Sequence, residues 1–252
     1  MELIKNNQYD MNMIKKTLPA LLFLCASLLS NAQEGWIDVT DAHVINPKFD
    51  NNNVTTGWQG TEFGAYNPVG HAEHYNKTYD SYQTISGLEP GIYRVSLNAF
   101  YRCGDASTDY SIFTSGNASE YQYARLYAWS NKGYYDSPIV FASSAALEQP
   151  LGGATQNVGK TWEYINNEWK ETSGFYIPDN MDAAHNWFEA GYYNNDVDCE
   201  VDEDGQLTIG ILKNPYVNGD WTCLDNWRLS YWGTIVLATS IQLSKTSLEL
   251  SQ

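Results

Sequence analysis

Read with period two, the stretch YQTISGLEPGIYRVSLNAFYR, Tyr82 to Arg102, splits into two faces after a turn at Glu89-Pro90-Gly91. Tyr93, Val95, Leu97, Ala99 and Tyr101 form an apolar face that reads as core. Arg94, Ser96, Asn98, Phe100 and Arg102 form the other, which is too aromatic and too cationic for a plain wet surface. The same alternation predicts strands at Trp36–Thr40, Tyr82–Ser86, Ile92–Arg102, Tyr123–Trp129, Leu207–Leu212 and Cys223–Trp232. Asn-, Gly- and Pro-rich turns separate them, with no strand–helix–strand rhythm, so two stacked antiparallel sheets are the economical arrangement. One short helix is expected, with Asp179 as its cap, Met181, Ala184, Trp187 and Phe188 on one stripe, and Gly191 closing it. Between Gly104 and Ile177 the periodicity fades into a stretch rich in Tyr, Trp, Ser, Gly and Asn, the kind of irregular segment that carries function on a rigid scaffold.

Composition sharpens this all-β reading. Of 252 residues 14% are aromatic, including 19 Tyr and 9 Trp, and only 17% are charged. The 14 basic and 30 acidic side chains leave a formal charge of −16, which argues against nucleic acid and anionic membranes as partners and favours a neutral ligand. Export is expected from Lys15 and Lys16, the apolar run Leu18 to Leu29, and Ser30-Asn31-Ala32 before Gln33, which together have the layout of a signal peptide over 1–32. The apolar run is shorter than the ~20 residues a membrane-spanning helix needs, so no membrane insertion is expected. That segment removed, Cys103, Cys199 and Cys223 remain, an odd number that allows at most one internal disulfide.

Catalytic patterns find little support. His71-Ala-Glu73 has half of a zinc-deaminase signature, but no P-C-x-x-C follows to supply thiolates. His71 and His74 are three apart in a loop-like stretch, and with only four histidines a zinc trio would need His43, His185 or a carboxylate to complete it, so a zinc site is not expected. No G-x-S-x-G elbow, P-loop or H-E-x-x-H occurs. With 30 acids in the chain, spacing alone does not exclude the two carboxylates of a small glycosidase.

A family resemblance emerges from several blocks in order. The run after Val44, INPKFDNNNVTTGW, resembles the opening signature of carbohydrate-binding modules of the galactose-binding-like fold. AEHYNKTYDSYQTISGLEPGIYRVSLNAFYR, YIPDNMDAAHNWFEAGYYNN, DGQLTIGILKN and DWTCLDNWRLSYWG extend the resemblance over most of Trp36 to Gly233, and it is weakest from Asp105 to Trp169. It implies a jelly-roll β-sandwich over 33–235 that belongs to a secreted, modular glycan-degrading protein and is not itself an enzyme. In such modules two acids hold a structural Ca2+; here they would be Asp50 and Asp225, and Asp225 shares strand parity with Trp227 and Leu229. The segment Thr239 to Gln252 resembles the opening of a group 2 bacterial immunoglobulin-like domain, so 236–252 reads as a linker and the start of a covalently linked neighbour.

Sugar rings present apolar C–H faces and a rim of hydroxyls, so their sites combine flat aromatics with fixed donors and acceptors. Asn98, Phe100 and Arg102 supply that mixture on one strand; Trp129, Trp162, Trp169 and Trp187 supply aromatic surface. The expectation is a polysaccharide- or oligosaccharide-binding domain in an extracellular setting. An adhesion or spacer sandwich would bury the same aromatics instead.

Overall fold

A computed structural model describes residues 32–50, 53–66 and 70–236. The expected export segment, apart from Ala32, and the expected immunoglobulin-like start, apart from Val236, lie outside the described residues. The chain divides into two units, Asp38–Trp232 and Met1–Ile37 with Gly233–Gln252. Within the described residues the second unit contributes most of β1 (Ala32–Asp38) and the end of the last strand. The larger unit opens with a single helical turn, α1 (Thr40–His43), where the alternation had predicted the end of a strand.

Two antiparallel sheets follow, as the alternation predicts. The short strands β2 (Gln59–Gly60) and β3 (Gly64–Tyr66) precede β4 (His71–Tyr75), β5 (Tyr79–Ile85) and the long β6 (Gly91–Arg102). After α2 (Ala106–Thr114) come β7 (Arg125–Ser130) and β8 (Gly133–Pro138). Two small ribbons follow, made by β9 (Thr155–Val158), β10 (Trp162–Ile165), β11 (Glu168–Glu171) and β12 (Phe175–Pro178). The helix α3 (Met181–Glu189) leads to β13 (Asn194–Val201), β14 (Leu207–Lys213) and β15 (Trp221–Val236). One sheet has the order β13-β6-β15-β4-β3, and the other β2-β5-β14-β7-β8.

The core between the sheets takes the expected face of β6, from Tyr93 to Tyr101, against Leu126 and Ala128 of β7 and Leu207, Ile209 and Ile211 of β14. The Phe–Trp opening signature plugs one end of it. Phe49 and Trp58 have ring centroids 5.6 Å apart, and Trp58 packs at 4.8 Å from Trp227. A second core covers the outer face of the first sheet, where Phe100, Trp221 and Cys223 meet Ile177 and the apolar stripe of α3. The stripe is the predicted one. The cap is not: Asn180, rather than Asp179, accepts the Ala183 N–H at 2.8 Å. Gly191 ends the helix at φ +85°, a conformation costly for a residue with a Cβ.

The excursion from 104 to 177 is more regular than its sequence suggests. It holds α2, the strands β7 to β11 and most of β12; alternation marks only β7, as Tyr123–Trp129, and the strands of the two ribbons have four residues each, too short for periodicity to register. Cys103, Cys199 and Cys223 are all free and buried. Cys103 and Cys199 sit in the core between the sheets, whereas Cys223 faces the second core. No helix among the described residues is long and apolar enough to cross a membrane.

Candidate functional site

The polar face of β6 does not serve as an open platform along its length. Phe100 is fully buried between Trp221 and Tyr193, with ring centroids 4.9 Å from each. Trp187 is fully buried on the apolar stripe of α3 and donates its indole N–H to the Ala145 carbonyl at 3.0 Å. Asn98 is buried as well; its amide donates to the Tyr192 carbonyl and to Asn194 Oδ1, and its Oδ1 accepts from Asn226. All three are structural here: Phe100 and Trp187 pack in the second core, Trp187 from α3 itself, and Asn98, which also lines a cleft with Phe188 and Glu189, ties β6 to the segment after α3 and to Asn226 of β15. Arg102, in the last row of β6, lies at the edge of that second core.

The exposed aromatic surface is instead on the outer face of the other sheet. Alternation in RLYAWS points Leu126 and Ala128 inward, which sends Arg125, Tyr127 and Trp129 outward. Cross-strand register places Trp129 between Thr208 of β14 and Tyr134 of β8, with Thr84 of β5 beyond Thr208. The neighbouring row runs Gln59, Tyr82, Gly210, Tyr127 and Asp136. Gly210 is required there: a Cβ would lie 2.7 Å from Tyr127 Cζ, so only glycine lets that ring lie across the strand. So placed, Tyr127 donates its hydroxyl to Asp80 Oδ1 at 2.8 Å and stacks on Tyr134 with centroids 5.5 Å apart and planes 23° from parallel.

Trp129 is 59% exposed and Tyr134 52%. Beside Trp129 lies a shallow cleft of about 120 Å3, walled by Thr84, Thr208, Gln206, Asn131 and Asp204. Its polar groups are held in place: Thr84 and Thr208 share a hydroxyl hydrogen bond at 3.1 Å, and Asn131 donates to Asp204 at 2.6 Å. The arrangement offers flat rings flanked by fixed donors and acceptors on a sheet. Of the rings on this face the sequence reading named Trp129 alone; it passed over Tyr82, Tyr127 and Tyr134, although the alternation of β7 with a glycine in β14 places them on the same side.

Trp162 and Trp169 lie on the β10–β11 hairpin. Asn166 and Asn167, at φ +53° and +64°, form its tight turn. Trp162 pairs with Glu171 and Tyr164 with Trp169, so all three aromatics share one face. Trp162 is 64% exposed and Trp169 66%, and the Tyr164 and Trp169 rings are 5.4 Å apart.

The two acids expected to hold calcium are differently placed. A bulge with Asn226 at φ +55° interrupts β15 between Asp225 and Arg228. It removes Asp225 from the inward parity of Trp227, contrary to the simple alternation. Asp225 is buried with Oδ2 at 2.8 Å from His71 Nδ1, and His71 Nε2 lies 3.1 Å from His185 Nδ1. Burial pushes the Asp225 carboxyl up, His71 pulls it down, and the charge of Asp50 adds to the upward push. Asp225 Oδ1 is buried without a hydrogen-bond partner. Among the described residues no three His, Cys, Asp or Glu side chains converge on a metal position, so a calcium ion would draw further oxygens from backbone carbonyls.

No protein-family model matches this chain, and no curated protein matches it. Among solved structures it is similar to a xylan-binding module CBM15, with 11% identity and a TM-score of 0.30 over 80% of this chain and 98% of that one. At that score the likeness carries no argument about function.

Proposed function

We propose that this chain carries a non-catalytic carbohydrate-binding domain of a secreted, modular protein, and that it takes a neutral polysaccharide on the outer face of the β2-β5-β14-β7-β8 sheet. The observation that carries the reading is the pairing of exposed Trp129 and Tyr134 across adjacent strands, beside the hydroxyls and amides of the Trp129 cleft. A ring stacked on Trp129 would have its rim hydroxyls within reach of those groups. A spacer domain has no need of such a surface. Trp162, Tyr164 and Trp169 offer a second aromatic surface to the same class of ligand. The resemblance to galactose-binding-like modules and the export-like N-terminus support the same setting, with further domains covalently attached.

Calcium belongs to this proposal as a structural ion. Asp50 and Asp225 would hold it, and the orphaned Asp225 Oδ1 is the group it would satisfy. An ion there would supply charge to offset two nearby carboxylates; it takes no part in binding the glycan.

The test is retention of the purified protein on a panel of neutral plant and host polysaccharides, read by affinity electrophoresis. Retardation by at least one, without release of reducing ends, is the expected result. Indifference to the whole panel would move the domain to an adhesion or spacer role, and release of reducing ends would make it a hydrolase.

A further inference from the structure

The row of side chains at one end of the covered sheet is left open. Register places Trp221 of β15 between Tyr75 of β4 and Arg102 of β6, with Glu73 and Phe100 flanking Cys223 in the next row. α3 buries the second of these rows at Phe100 and Cys223, but the first borders a cleft of about 340 Å3 that also takes Asp179 and Asn180 from the start of the helix. This is within the usual range for small-ligand sites, roughly 300–1,000 Å3.

The walls of the cleft are fixed before any ligand arrives. Arg102 donates from Nη1 to Asp179 Oδ1 at 2.8 Å, and Gln156 donates to Asp179 Oδ2 at 2.6 Å. The guanidinium lies 5.2 Å from the centre of the Trp221 ring, whose indole N–H donates to Glu73 Oε2 at 2.7 Å. Asn180 Oδ1 is taken by the Ala183 and Ala154 N–H groups. Arg102 is 8% exposed, and its Nε is buried with no hydrogen-bond partner. Among the described residues Nη1 is the guanidinium nitrogen that makes a hydrogen bond, which leaves Nη2 as a donor for a visitor. Tyr75, at 54% exposed, presents a ring at the mouth of the cleft.

These observations decide the ligand chemistry. One guanidinium faces two carboxylates, so the cleft is formally anionic inside a chain of charge −16. A carboxylate or phosphate ligand would meet repulsion from Glu73 and Asp179. An uncharged polyol meets a donor in Arg102, acceptors in Glu73 and Asp179, and an aromatic face in Tyr75. The volume suits one or two sugar rings rather than a long chain.

We propose that this cleft is a second binding site, separate from the Trp129 surface, that takes one or two residues of a neutral sugar between Tyr75 and Arg102. The inference rests on the glycan reading above but places a different site, so the two can fail independently. The probes are xylobiose, cellobiose, mannobiose and galactobiose, with digalacturonate as the charged comparison, followed through the Trp221 indole N–H resonance. At least one neutral disaccharide should shift that resonance. Tyr75→Ala, at an exposed position, should weaken the effect at least tenfold with melting temperature unchanged, and Trp129→Ala should leave it intact. Four inert neutral disaccharides, a shift insensitive to Tyr75→Ala, or stronger binding of digalacturonate would overturn the cleft site. Absence of polysaccharide retention by the parent protein, with the disaccharide shift kept, would overturn the Trp129 surface and leave the cleft standing.

Discussion

His74 is held between two rings, with centroids 4.8 Å from Phe63 and 4.1 Å from Tyr79, and its Nε2 is 2.8 Å from Ser81 Oγ. Burial, aided by the charges of Lys77 and Lys213, lowers its pKa from 6.5 to about 3. The folded protein keeps this imidazole neutral while the unfolded chain protonates it near its ordinary value. The resulting stability is fully present above pH ~6.5 and is lost as pH falls toward ~3. From about pH 7 to about pH 5 the loss from this group is about 2 kcal/mol. Asp109 works in the opposite sense. Burial raises its pKa to about 6 despite hydrogen bonds from Ser143 and the Cys103 N–H, so the folded state takes up a proton first and gains stability as pH falls from ~6 toward ~4. His74→Phe should therefore lose less melting temperature than the parent between neutral and mildly acid pH. Equal losses in both proteins would contradict the assignment.

The elements show which parts of the sequence could be read and why. The inward face of β6 and the stripe of α3 obey simple periodicities of long segments and were legible residue by residue. The function of the opposite face of β6 was not, because alternation says which residues share a side but not what covers that side. Phe100 is sealed by a helix that begins about eighty residues later, and no local pattern encodes that contact. The parity of Asp225 failed for a related reason: one bulged residue reverses every face after it. Trp187 and Trp162 show the difference most plainly, being equally aromatic and set on amphipathic elements, yet one is sealed and the other open. Trp187→Ala should cost about 3–5 kcal/mol in urea unfolding. Trp162→Ala should stay within about 0.5 kcal/mol of the parent. Comparable effects would mean that the hairpin aromatics are packed against something.

For the whole molecule, net charge and site chemistry point the same way. If the proposed glycan site is right, affinity in a chain of −16 rests on stacked rings and hydroxyl contacts, and binding should be almost equal at low and high salt because exposed-charge attraction is not its source. Steep loss with salt would mean a charged ligand. If calcium sits at Asp50 and Asp225, chelation should lower the melting temperature and re-addition should restore it; an unchanged transition with no metal in the purified protein would remove the ion from the account. On the proposed sheet surface Trp129 is the most exposed ring. The most direct test is calorimetric titration of the best-retained polysaccharide into the parent protein and Trp129→Ala, with unfolding measured on both. The account predicts that affinity falls by about 1–3 kcal/mol, by analogy with aromatic stacking of nucleobases, while the unfolding midpoint is kept. Unchanged affinity with an intact fold would contradict it.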